Sequence, residues 1–92
     1  MYEFEYTGKF IKDVKRLKKK HYDLRKLYRV LDDLRVYDLS QLTRQYRDHQ
    51  LKGNYRGYHE LHIEGDWLLV YRREKKRLVL TLMSTSGHDD TF

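Results

Sequence analysis

The chain has no cysteine and no proline. Without cysteine neither a disulfide framework nor a thiolate metal site is available, which fits a reducing, cytoplasmic location. No proline-rich linker, low-complexity tract or internal repeat divides the chain. Long apolar runs are missing too. The longest, Trp67 to Tyr71, is far too short to span a bilayer, so no membrane segment is expected. The N-terminal M-Y-E-F-E-Y lacks the basic and apolar regions of a signal peptide. At 92 residues the expectation is a single domain, 1–92, with a thin core and modest stability.

Charge and aromatic rings are plentiful instead. Lys and Arg number 20 against 14 Asp and Glu, a formal net charge of +6. That balance favours a nucleic acid or an acidic protein as partner. Nine tyrosines, three phenylalanines and one tryptophan are many for this length, and aromatics among arginines suit base stacking as well as core filling.

Tyr2 to Tyr6 alternates apolar and acidic residues and predicts a strand. Thr7-Gly8 then stops it and caps a helix bearing Phe10, Ile11, Val14 and Leu17, which ends in Lys18-Lys19-Lys20. A second helix follows Asp23, with Leu24, Leu27, Tyr28, Leu31 and Leu34 as its stripe. Asp38 to Gln45 has no clear period and reads as a connection. Three strands are expected at 57–64, 66–73 and 77–84. Gly65 turns the first into the second, and Glu74-Lys75-Lys76 turns the second into the third. Alternating leucines in the last strand predict burial on both faces. The expected fold class is α+β, order β-α-α-β-β-β, with two N-terminal helices on one face of a small antiparallel sheet.

Tyr46 to Phe92 carries the candidate chemistry. Histidine both takes and gives protons near neutrality, and the surrounding arginines and lysines hold phosphates. His62 ends a strand and Asp66 lies just past the turn at Glu64-Gly65, so the two are close under any hairpin register. Whether they share a face depends on a loop of two residues or three. His59 and His62 are three apart and face opposite ways, which argues against a paired metal site, and no metal or other cofactor is expected. His49 lies in a loop with Arg47, Lys52 and Arg56, a set that suits a phosphate. Arg72, Arg73 and Arg77 flank the last hairpin turn. On the residues alone, a solvated turn, a core tryptophan at Trp67 and an inert terminal His88 are the competing readings.

The pieces Y-R-D-H with L-K-G after it, G-Y-H-E-L-H-I-E-G-D-W-L-L-V-Y, and the ending T-S-G-H-D-D-T-F resemble the RelE/ParE superfamily of bacterial toxins, within it the YafQ branch. The resemblance covers the C-terminal half at motif level. The N-terminal half matches in its strand-helix-helix pattern and in F-I-K-D-V-K. It implies an endoribonuclease cutting messenger RNA in the ribosomal A site without metal. It also implies a cognate antitoxin of DinJ/RelB type, bound in a hetero-oligomer. Carried over position by position, His49, His62, Asp66 and His88 are the catalytic residues. Trp67 and Phe92 are associated with the active site and substrate, and Lys52, Arg56, Arg72 and Arg73 join them as substrate-binding candidates. Relatives commonly place an arginine four residues before the last histidine. Ser84 stands there here, sharing alternation with Leu78, Leu80 and Leu82, and Arg72, Arg73 and Arg77 are the candidates to replace the missing charge. Two other readings compete: a toxin of this fold acting on a protein such as DNA gyrase, and a catalytically weakened RNA- or ribosome-binding module.

Overall fold

A computed structural model describes residues 2–77 and 79–87. Leu78, His88 and Phe92 therefore lie outside the described residues. The chain runs β1 (Glu3–Tyr6), α1 (Gly8–Lys19), α2 (Leu24–Val36), α3 (Leu39–Tyr46), β2 (His49–Gln50), β3 (Tyr58–Glu64), β4 (Trp67–Glu74) and β5 (Val79–Ser86). A short 3-10 turn at Gly53–Tyr55 interrupts the loop between β2 and β3.

The five strands form one sheet in the order β1-β5-β4-β3-β2. It is mixed rather than antiparallel, because β1 pairs parallel to β5, with Phe4 beside Leu80. A parallel pair needs a crossover connection, and the helices together with β2–β4 supply it. Thr7 fixes the exit from β1. Its hydroxyl caps α1 by accepting from the Phe10 amide and donates to the carbonyls of Leu82 and Met83 on β5, at 3.0 and 3.1 Å.

The third helix lies where the sequence promised a connection. Asp38 accepts from the Gln41 amide while the Gln41 side chain accepts from the Asp38 amide, a reciprocal cap on the first turn. Leu42 and Tyr46 on its inner face are buried. In α1 and α2 the stripes shift slightly from expectation. Ile11 and Tyr28 are exposed, while Asp13 and Val30 are buried. The core joins Phe10, Leu17, Leu27, Val30, Leu34 and Leu42 to Leu61, Trp67, Leu69, Tyr71, Leu80 and Leu82 on the helix side of the sheet.

The other side of the sheet is open. Among the described residues of β5, Thr81, Met83, Ser84 and Ser86 are only half-buried, so the expectation of burial on both faces does not hold. Helices cover one face and the described residues provide no second layer. A bulge also changes which residues share a face. Val70 pairs with Ser84 but Tyr71 pairs with Leu82, leaving Met83 as the extra residue. Ser84 thereby leaves the alternation of Leu80 and Leu82 and stands with Val70 on the open face. The Thr7 hydroxyl satisfies the Met83 carbonyl at the bulge.

Candidate active site

Residues at one end of the open face come together from three segments. A second bulge in β3 sets His62 opposite Leu68 and Glu64 opposite Trp67, so the loop between β3 and β4 holds two residues, Gly65 and Asp66. Gly65 has φ +54, a conformation that L side chains rarely adopt, and this closes the tight turn. The His62 Nδ1 lies 2.9 Å from the Gly65 carbonyl, which leaves the Nε2 outside that contact.

His49 is on β2, opposite Glu60. Glu60 and His62 are two apart in β3 and share the open face. The His49 Nδ1 donates to the Arg47 carbonyl at 3.0 Å, and its Nε2 lies 3.3 Å from Glu60 Oε1. Both neighbours are acceptors, and they hold the ring between the turn and β3. The rings of His49 and His62 are 6.2 Å apart between centroids. Arg47 is in the left-handed region, φ 55 and ψ 39, and caps the end of α3. Its Nη2 lies 3.3 Å from the His62 Nδ1, a fixed cation beside that ring. The result is a pair of imidazoles with one carboxylate and one guanidinium, all in reach of solvent.

The remaining sequence candidates are distributed around this cluster. Asp66 is exposed and lines a depression of about 450 Å³ with Lys20, His21, Tyr22, Asp23, Lys26, Glu64 and Trp67. Trp67 is 5% exposed. Its indole N–H donates to the Thr85 hydroxyl at 2.9 Å and its ring takes the edge of Tyr22 at 5.0 Å. It therefore braces the turn from below, and no open ring face is offered to a base. Lys52 and Arg56 are exposed in the loop between β2 and β3. Arg72 is exposed on β4 opposite Tyr58, on the open face that also carries Ser84. Arg73 alternates to the helix side, where its guanidinium lies 4.9 Å over the Tyr2 ring. Arg77 is held by Glu5 and Glu74 at 3.0 and 3.2 Å. Of the three arginines considered for the missing charge, Arg72 alone has both the face and the freedom. Arg73, also a substrate-binding candidate, lies on the covered side over Tyr2.

Two members of the cluster were not singled out as site residues from sequence. Glu60 was legible by alternation from His62. Arg47 was read only as one of the basic neighbours of His49 that suit a phosphate, with no sign that it would meet His62. Among the described residues no group of three His, Asp or Glu side chains is arranged to hold a metal ion.

The chain matches, over residues 2–92, the family described as the bacterial toxin of type II toxin-antitoxin systems, YafQ. It belongs to that family. The mRNA interferase toxin YafQ of Escherichia coli K12 is 40% identical over 76 residues, covering 83% of this chain and 82% of the relative. The crystal structure of YafQ from E. coli BL21(DE3) superposes with a TM-score of 0.83 at 35% identity, covering 97% of this chain and 96% of that one. The YafQ chain of the E. coli DinJ-YafQ complex superposes with a TM-score of 0.81 at 34% identity, covering 100% and 99%. The likeness to these YafQ structures extends over the whole mixed sheet and the helices on one side of it.

Proposed function

We propose that this YafQ-family toxin cleaves messenger RNA in the A site of the ribosome by metal-independent acid–base chemistry. The observation that carries the reading is the His49–His62 pair on an open sheet face, with Glu60 and Arg47 beside it. Cleavage requires the ribose 2′-hydroxyl to lose a proton as its oxygen attacks phosphorus. The bond from phosphorus to the 5′-oxygen then breaks and that oxygen takes a proton, leaving a 2′,3′-cyclic phosphate. His62 accepts the first proton through its Nε2. Asp66, one residue past the carbonyl that orients His62, supports the same step. His49, held beside Glu60, stabilises the phosphorane by hydrogen bonding, and His88 delivers the proton to the leaving oxygen. Arg72, Lys52 and Arg56 hold flanking phosphates on the same face.

The site is shallow and open, so the ribosome supplies much of the substrate alignment. An antitoxin of DinJ type neutralises the toxin in a hetero-oligomer, and both act in the cytoplasm. No helix among the described residues is long and apolar enough to cross a membrane.

Purified toxin added to a translating extract, with new mRNA ends mapped by primer extension, tests the function. Cuts at codons held in the A site, ending in 2′,3′-cyclic phosphate, are expected. Comparable rates on a free oligonucleotide and a programmed ribosome would remove the ribosome from the reading. Ends carrying a 3′-hydroxyl would remove the acid–base mechanism.

A further inference from the structure

A second ionisable cluster lies under the sheet, directly beneath the histidine pair, and the chemistry above does not use it. The Asp48 side chain is 2% exposed and accepts from the His59 Nδ1 at 2.7 Å. Its other oxygen accepts from the Tyr71 hydroxyl. The rings of His59 and Tyr71 stack at 5.3 Å with 25° between their planes. These three side chains come from the turn after α3, from β3 and from β4. They weld that turn to the two strands that carry the site.

Asp48 is flanked by Arg47 and His49, whose side chains both work on the open face. His49 opens β2, where consecutive residues point to opposite sides, and Arg47 turns the chain into Asp48 through its left-handed conformation. A carboxylate fastened below therefore sets where its two neighbours stand above. The turn needs such a fastening. Arg47 is held in a left-handed conformation that an arginine rarely adopts. The Arg47 amide bonds to the Thr43 carbonyl at 3.0 Å, but the Asp48 amide reaches the Leu42 carbonyl only at 3.4 Å, so the backbone hold weakens at Asp48 itself.

We propose that Asp48, fixed by His59 and Tyr71, is a positioning residue for the acid–base site. It locks the turn so that the Arg47 carbonyl holds His49 toward Glu60 and the Arg47 guanidinium meets His62. The catalytic half of this inference rests on the nuclease reading, and the conformational half does not.

The test compares Asp48→Asn and Tyr71→Phe with Val30→Ala. Val30 is buried in α2 and belongs to neither cluster, so this variant matches for lost stability. Rates are measured in single turnover on programmed ribosomes. Asp48→Asn should lower the maximal rate by on the order of 10²-fold, the loss typical of a catalytic group displaced by about 1 Å, with a smaller change in half-saturation. Tyr71→Phe should follow in the same direction, and Val30→Ala should hold its rate. If Asp48→Asn does not fold, Tyr71→Phe, which keeps the ring stack, decides. Full rates in both variants, or an equal loss in Val30→Ala, would overturn the proposal. A second readout needs no activity. In the wild-type protein the His49 Nδ1–H should give a protected imidazole resonance, and Asp48→Asn should lose it. Its persistence in that variant would sink the conformational half, whereas a wild-type protein that cuts no mRNA would sink only the nuclease reading.

Discussion

Gly87→Ala is the sharpest perturbation the structure offers. A Cβ at this position would lie 1.9 Å from the Tyr22 hydroxyl oxygen and 2.6 Å from its Cζ. Ordinary contact begins at 3.4 Å, so the phenol must retreat by about 1.5 Å or the chain must lift by as much. The phenol is not free to swing. Tyr22 is half-buried, its ring meets Trp67 edge-on, and its amide is bonded to the Leu17 carbonyl at the end of α1. Overpacking of this kind costs about 1–3 kcal/mol. For a domain of this size each kcal/mol lowers Tm by roughly 4–8 °C. A melt should therefore drop by several degrees at least. His88 follows Gly87 directly, so the cleavage rate should fall further than stability explains. The double variant Gly87→Ala with Tyr22→Ala removes the obstacle and should recover the rate while losing the Tyr22–Trp67 contact. A Gly87→Ala protein with unchanged melt and unchanged rate would refute the reasoning. So would a double variant no more active than the single one.

Alanine at His49, His62, Asp66 or His88 should cut single-turnover cleavage by on the order of 10²–10⁴-fold and relieve growth arrest at equal expression; full toxicity of the His62 and His88 variants would refute the assignment. Ser84→Arg should raise the rate, because Ser84 shares the open face with the site and serine lacks the bidentate contact of a guanidinium; Arg72→Ala should lower it, whereas Arg77→Ala should not. Burial first, then the hydrogen bond to Asp48, pushes the Tyr71 hydroxyl well above the ordinary tyrosine value of 10.0. The raised value means that the unfolded chain releases this proton first, so the contribution of Tyr71 is intact below about pH 10 and declines as pH climbs above it. Alkaline melts of Tyr71→Phe should show a shallower decline in that range, at a cost near neutrality of about 1–3 kcal/mol from the unpaired Asp48 oxygen.

Most of the fold was legible because its signals are local. Alternation gave β1, β3 and β4, and spaced leucines gave α1 and α2. The third helix was readable in retrospect from Asp38-Leu39-Ser40-Gln41, a cap in a stretch where only Leu39, Leu42 and Tyr46 keep helical spacing. The parallel pairing of β1 with β5 was not readable, since nothing local states which strand β1 joins. The bulges at Ile63 and Met83 were hidden for a related reason. A bulge is a mismatch between two strands, and neither strand alone records it. The displacement of Ser84 from the alternation of Leu80 and Leu82 follows from that. His62 and Glu60 were reachable by parity, whereas Asp48, His59 and Tyr71 meet only because three segments converge beneath the sheet.

The pairing of β1 with β5 also orders events during synthesis. Thr7 bonds to the Leu82 carbonyl across 75 positions of chain, and β1 hydrogen-bonds to β5 in the sheet. The ribosome makes β1 first and β5 more than seventy residues later, so the first strand waits without its neighbour while the helices and the β3–β4 hairpin assemble. Pairings this distant in sequence form late and slowly. Until β5 emerges from the exit tunnel the sheet lacks the strand that ends beside Gly87, and the active face is incomplete. The sheet of a nascent copy is therefore closed last, by the strand made last.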